Sequence, residues 1–178
     1  MTNRIEHSDK RWYAVRTKFR SEKYVCGLLE AQGVEAYVPV MLRTRRYERK
    51  IKTYEIPLIS SYVFVRVCNS DYVKVLKTLY VFGFVLVGGR LIAIPEEEMN
   101  LMKRITGQEI EYKLRDREPE VGDDVEIIGG SLLGLRAKMI SKHNSSELVV
   151  ELVHIGKQFV LSVDKKYIRK LSRAELAG

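Results

Sequence analysis

The spacing of apolar and polar positions changes several times along the chain, and each change marks an element. Residues 11–16 and 35–40 are short runs of aromatic and β-branched residues that predict strands. Between them, residues 20–32 have helical spacing: Tyr24, Val25, Leu28 and Leu29 share one predicted face, and Gly33 stands where a left-handed C-cap is expected. Residues 62–67 predict a strongly apolar strand. A second helix follows, capped by Asn69, Ser70 or Asp71, with Tyr72, Val75, Leu76 and Leu79 on its buried side. Gly88-Gly89 joins residues 81–87 to 90–94 with the chemistry of a tight hairpin. Pro95 opens a third helix. Glu96, Glu97 and Glu98 suit its positive end, Met99, Met102 and Ile105 form its apolar stripe, and Gly107 stops it.

Two segments break this alternation. Residues 43–52 hold six basic residues and one acid, with only Tyr47 and Ile51 to offer a core, and read as an exposed hairpin or loop. Residues 107–120 lack a strong period and contain Pro119, which reads as a linker. Beyond it the pattern is all-β, with about five short strands between glycine-rich or polar turns, as a small SH3-like barrel requires. The expected organisation is therefore a flexible N-terminus at 1–10, an α+β domain at 11–106, a linker at 107–120, a small β-barrel at 121–171 and a tail at 172–178.

Composition sharpens this division. The 46% hydrophobic and 30% charged residues of the 178 suit folded domains rather than disorder. The net charge of +8 is uneven: residues 1–106 carry 19 basic against 11 acidic residues, 107–120 carry 3 against 5, and 121–178 carry 9 against 7. The first domain thus holds the surface for a polyanion, and the near-neutral second one suits a partner met by shape and apolar contact. No apolar run reaches the length of a membrane span and residues 1–10 lack a signal-peptide core, so a cytoplasmic protein is expected. Cys26 and Cys68 read as buried thiols.

Catalysis is not expected. His7, His143 and His154 show no metal-ligand spacing, HExxH, GxSxG and GxxxxGK[ST] patterns are missing, and the glycines at 129–134 read as a turn. No cofactor or metal is expected.

Gly122-Asp123-Asp124-Val125-Glu126-Ile127, followed by Gly130, Leu133 and Gly134, resembles the KOW motif of transcription and ribosomal proteins. Ahead of it, Trp12-Tyr13-Ala14-Val15-Arg16, the helix ending near Gly33, Tyr37-Val38-Pro39-Val40 and Tyr62-Val63-Phe64-Val65 resemble the NusG N-terminal (NGN) domain in order and spacing, and Gly83-Phe84-Val85 and Ile94-Pro95 continue the likeness. The chain is identified as a member of the NusG family over residues 11–106 and 121–171. It resembles specialised paralogs of the RfaH, LoaP and capsule-operon antiterminator type, through its short linker and through Ala137, which stands where most KOW motifs have glycine. Ser60-Ser61 replaces the Pro-Gly usual before the Tyr-Val-Phe-Val strand.

The resemblance implies an NGN α/β sandwich with an antiparallel sheet, a short linker and a KOW barrel, acting as a monomer in elongation or antitermination. It implies docking on the clamp helices of the largest RNA polymerase subunit through an apolar patch that Ile59, Tyr62, Phe64, Phe82 and Phe84 match or neighbour. Aromatic anchors carry interfaces, and the competing role of Phe64 and Phe84 is ordinary core. Val73 to Leu76 fall near a segment that touches the polymerase gate loop in RfaH, although their apolar character reads as helix core.

Arg11, Arg16, Lys18, Arg20 and Lys23 surround the first strand–helix junction, the face implied to meet the non-template DNA strand. Phe19 and Tyr24 could stack a base there, and a solvated charged face is the alternative. Lys18 matches an RfaH contact position, whereas Leu28 replaces a histidine, so a different DNA element is expected. Arg45, Arg46, Arg49 and Lys50 are candidates for upstream DNA or nascent RNA. In the barrel, Ile155 matches an apolar contact to ribosomal protein S10, with Leu133 and Leu135 in the neighbouring turn, and Rho is the other implied partner. The Val and Ile content favours the barrel over the helical hairpin of RfaH. The alternatives are a general NusG-like factor and a ribosome- or RNA-binding KOW protein.

Overall fold

The computed structural model describes residues 5, 7–48, 50–107, 112–116, 122–141, 146–152 and 154–176. The chain divides into two compact units, Met1–Thr106 and Gly107–Gly178.

The first unit is built on a four-stranded antiparallel sheet of β1 (Arg11–Thr17), β2 (Glu35–Tyr37), β5 (Tyr62–Val67) and β6 (Val81–Phe84), in the order β2-β5-β1-β6. Helix α1 (Glu22–Ala31) and the short α2 (Tyr72–Leu76) cover one face. There Tyr13, Val15, Val63, Val65 and Val67 pack with Val25, Leu29 and Val75. Strand pleating sends the alternate residues to the other face, where α3 (Glu96–Thr106) lies over β1. Trp12 and Phe64 are buried on that face, and Met99, Met102 and Ile105 are the buried residues of α3. Trp12 Nε1 donates to Glu96 Oε2 at 3.0 Å, the Tyr37 and Thr106 hydroxyls lie 2.8 Å apart, and the Lys103 ammonium sits over both rings.

Outside this sandwich stand two ribbons, β3 (Val40–Tyr47) with β4 (Lys50–Pro57), and β7 (Leu86–Val87) with β8 (Arg90–Leu91). Gly88 and Gly89, at φ 57° and 76°, supply the primed turn expected of them.

The second unit holds a six-stranded antiparallel sheet: β9 (Tyr112–Asp116), β10 (Asp123–Ile127), β11 (Arg136–Ser141), β12 (Ser146–Leu152), β13 (Lys157–Val163) and β14 (Ile168–Lys170). Their order is β14-β10-β11-β12-β13-β9. A four-residue helix, α4 (Arg173–Leu176), follows. The architecture is the mixed α/β fold with a second, sheet-rich KOW-like region that the sequence implies.

Three details depart from the sequence expectations. The segment read as a linker contributes β9, whose residues pair with β13 from Tyr112↔Leu161 to Asp116↔Lys157; the flanking residues 108–111 and 117–120 lie outside the described residues. Before β1, Ile5 is buried in the first core and the His7 carbonyl accepts from Asn69 N at 3.0 Å, so these two residues are packed rather than free; residues 1–4 and 6 lie outside the described residues. Of the residues assigned to buried helix faces, Tyr24 on α1, Leu76 on α2 and Leu79 beyond its end are exposed. Helix α2 lasts only five residues, so its inward side is satisfied by Tyr72 and Val75.

Candidate functional site

Burial on the α3 face falls away along the strands. Ala14 pairs with Phe64, and two residues further on Arg16 pairs with Tyr62, where Arg16 is exposed and Tyr62 half-buried. Arg16 also faces Gly83, and the register between β1 and β6 then slips, with Thr17 opposite Val81. Phe82 is the extra residue. A bulge of this kind re-aims a side chain, and Phe82 stands 71% exposed, with Gly83 at φ 146° absorbing the backbone distortion.

Of the five aromatic and aliphatic candidates, the structure thus leaves Phe82 exposed, Tyr62 and Phe84 half-buried, and Ile59 and Phe64 buried. Phe84 stacks on Tyr72 with ring centroids 5.0 Å apart and meets Tyr13 edge-on at 6.0 Å. Core packing explains these three positions.

The loop after β1 brings cations and aromatics to the same end of the sheet. Thr17 N donates to the Ser61 carbonyl at 2.9 Å and Lys18 N to that of Tyr80 at 3.0 Å, so the turn before β5 and the turn after α2 close against this loop. The Lys18 ammonium lies 4.9 Å from the Tyr80 ring centre, Arg20 lies 5.2 Å from that of Phe19, and the Tyr24 and Tyr80 rings are 6.1 Å apart. Phe19 and Tyr24 are 58% and 56% exposed. Arg20, Ser61 and Tyr80 all adopt positive φ without being glycine, at 62°, 64° and 67°. Backbone strain of this kind persists where the surroundings hold it, and it often accompanies function.

Two cations expected here do otherwise. Arg11 lies at the opposite end of β1, roughly 20 Å away at the rise of an extended strand. Its Nε bonds the Asp9 carboxylate at 2.6 Å, which holds that carboxyl below its ordinary range. Lys23 pairs with Glu55 of β4 at 2.6 Å, tying α1 to the base of the β3–β4 ribbon.

That ribbon is regular. Its register pairs Arg43 with Tyr54, Thr44 with Thr53, Arg45 with Lys52, Arg46 with Ile51 and Tyr47 with Lys50. The Tyr47 and Tyr54 hydroxyls meet at 3.2 Å. This contact, together with Arg45, lowers the Tyr47 pKa, while the same contact raises that of Tyr54. Arg45, Arg46 and Lys50 are exposed, and Arg49 lies outside the described residues.

The outer side of α2 and the turn after it carry apolar residues the sequence assigned to core: Val73, Leu76 and Leu79 are 55%, 37% and 55% exposed.

In the second unit, the β10–β11 turn leaves Leu133 59% exposed and buries Leu135 at 8%, and Ile155 is half-buried beside Gly156. Leu135 belongs to the core. Sequence reasoning missed Ile128 and Tyr167, exposed at 46% and 40% and joined by the bond from Ile128 N to the Tyr167 carbonyl at 2.8 Å. The signal lay in Gly129, where any Cβ would strike the Tyr167 ring.

Among the described residues no three His, Cys, Asp or Glu side chains converge to hold a metal ion, and no helix is long and apolar enough to cross a membrane. His143 lies outside them. Cys26 is half-buried, and burial with the neighbouring Glu30 pushes its thiol up to about 11, far from a reactive thiolate. Cys68 is buried.

The family model described as "Transcription termination factor nusG" matches residues 10–103. Among solved structures, the Thermotoga maritima NusG chain of a study of its domain interaction is similar at 24% identity and a TM-score of 0.52, over 92% of this chain and 98% of that one. At that identity it speaks for the fold alone. A chain of the MjSpt4:Spt5 complex in conformation A matches at 25% identity over 90% of this chain and 98% of that one, with a TM-score of 0.31.

Proposed function

The chain belongs to the NusG family of transcription elongation factors, and from that premise we propose that it is a specialised antitermination factor of the RfaH, LoaP or capsule-operon type. It rides on RNA polymerase and performs no chemistry of its own. The observation that carries this reading is the sheet end at Arg16–Tyr62, where exposed aromatics and cations share one edge of the first unit. Tyr62 and Phe82 are the anchors for the polymerase clamp helices. Phe82 suits an interface because a large apolar ring held out by a bulge gains most by being covered.

Beside them, Arg16, Lys18 and Arg20 offer charge, and Phe19, Tyr24 and Tyr80 offer ring faces. Cations with exposed rings suit an unpaired strand, because every base has a face to stack. The non-template DNA strand is the proposed ligand. The exposed Val73 and Leu76 give α2 an outer surface for a second polymerase contact, the one implied near the gate loop, and Leu79 extends it past the helix end. The β3–β4 ribbon extends the basic surface toward flanking nucleic acid.

The second unit recruits a further partner, ribosomal protein S10 or Rho, through Leu133 and Ile155, and Ile128 and Tyr167 are further exposed apolar positions on it. Specialisation rests on the short linker and on Ala137, while Ser61, at φ 64°, stands where the family usually has glycine.

Affinity capture of the full-length protein from cells, followed by mapping of its chromosomal occupancy, tests the proposal. Co-purification of RNA polymerase and occupancy of one or a few long operons are expected. Occupancy of nearly all operons would make it a general factor, and ribosomal subunits without polymerase would overturn the reading.

A further inference from the structure

The β3–β4 ribbon has two chemically different faces. Residues paired across an antiparallel ribbon share a face, and successive pairs alternate. One face therefore carries Arg43, Arg45, Lys50 and Lys52 with Tyr47 and Tyr54, and no acid. The other carries Leu42, Glu55, Thr44, Thr53, Arg46 and Ile51, a single cation against a single acid. The mixed face is turned toward the body of the domain at its base, because Glu55 pairs with Lys23 of α1 at 2.6 Å. The basic face is accordingly the outward one.

The tyrosines give this face its form. Tyr54 is level with Arg43 and Tyr47 with Lys50, so their hydroxyls meet at 3.2 Å across the intervening Arg45–Lys52 pair. The two rings are 42% and 39% exposed.

We propose that the outward face of the β3–β4 ribbon is a binding site for double-stranded DNA, gripped through its phosphates by Arg43, Arg45, Lys50 and Lys52. Three observations select this ligand. A two-stranded ribbon has the width that the B-form major groove admits, whereas the A-form RNA major groove is too narrow for it. Cations repeat on alternate residues of both strands, as a regular polyanion requires. The face carries four cations and no acid, so nothing on it repels a phosphate backbone. This rests on the reading of the ribbon as a nucleic-acid contact and narrows it to one face and one ligand.

The test is fluorescence anisotropy of the full-length protein with three probes: a mixed-sequence DNA duplex of about two helical turns, one of its strands alone, and an RNA duplex of the same sequence. Wild type is compared with Arg45→Gln/Lys52→Gln on the basic face and Arg46→Gln on the mixed one, each confirmed folded by circular dichroism. The double variant is expected to bind duplex DNA roughly tenfold more weakly, with its salt slope reduced by about 2, while Arg46→Gln stays near wild type. An equal loss in Arg46→Gln overturns the one-faced site. A loss confined to the single strand or to RNA overturns the duplex-DNA assignment and leaves the ribbon a nucleic-acid contact. No change with any probe in either variant overturns both this inference and the broader reading of the ribbon.

Discussion

Ser61 donates its backbone N–H to the Glu22 carboxylate at 2.6 Å, and Glu22 is only 2% exposed. The bond ties the first turn of α1 to the turn before β5 and holds Ser61 at φ 64°. A non-glycine residue at positive φ carries a cost of about 1–2 kcal/mol, and a glycine there would relieve it while losing some entropy. Ser61→Gly is therefore expected to raise the unfolding free energy by roughly 0.5–1 kcal/mol. Glu22→Ala, which leaves the N–H without its charged acceptor, should lower it by about 1–3 kcal/mol. Urea denaturation measures both, and a destabilised Ser61→Gly contradicts the strain argument.

Phe82 and Phe84, two residues apart, should behave as opposites. Phe84 is half-buried against Tyr72 and Tyr13, so Phe84→Ala is expected to cost about 1–3 kcal/mol of stability. Phe82→Ala, at an exposed bulge, should change stability by less than about 0.5 kcal/mol. Paired thermal melts distinguish them, and equal losses would place both rings in the core.

Glycine positions offer a contrast between the units. A Cβ at Gly122 would collide with the Met139 backbone carbonyl, which no rotamer change relieves. Gly122→Ala should destabilise the second unit by about 1–3 kcal/mol, read as faster amide exchange in β10 and β11. In α1, a Cβ at Gly27 meets nothing within 4 Å, so Gly27→Ala should stabilise by up to about 1 kcal/mol.

Glu175 accepts from Ser172 N at 2.9 Å and from Arg169 at 2.6 Å, contacts that hold its carboxyl at about 2, below the ordinary 4.5. A carboxyl depressed in the folded state stabilises it fully above the unfolded value and less as pH falls toward the folded one. The α4 contact should thus be intact above about pH 4.5 and lost toward pH 2. NMR titration of the Glu175 side chain reads this directly. In Arg169→Gln its pKa should rise only part of the way, because the larger cause, the Ser172 N–H, remains.

Much of the first sheet was legible because its strands are short apolar runs and its helices have clear stripes, as at Met99, Met102 and Ile105. The ribbon's two faces were also written in the alternation Arg43, Arg45, Tyr47 and Lys50, Lys52, Tyr54. They were obscured because the turn lacks an Asn-Gly or Asp-Gly signal to fix the register. Strand β9 was hidden by charge: Lys113, Arg115 and Asp116 outweigh Tyr112 and Leu114 in a short edge strand held by backbone bonds.

The site was less legible than the fold. Periodicity cannot show a one-residue slip, so nothing in Val81-Phe82-Gly83-Phe84 distinguished the ring that leaves the sheet from the ring that enters the core. Helical spacing grouped Leu76 and Leu79 with Val75, but α2 ends at Leu76 and turns that row outward. Arg11 fell beside Arg16 on paper, although extended backbone carries it to the far end of β1.

The central claim, that the sheet end at Tyr62 and Phe82 docks on RNA polymerase, is tested most directly by measuring the affinity of the full-length protein for core RNA polymerase by biolayer interferometry. Wild type is compared with Tyr62→Ala/Phe82→Ala. Loss of two aromatic anchors should weaken binding by at least roughly tenfold, mainly through faster dissociation, with the thermal transition of the first unit preserved. Unchanged affinity in a folded double variant would contradict the account.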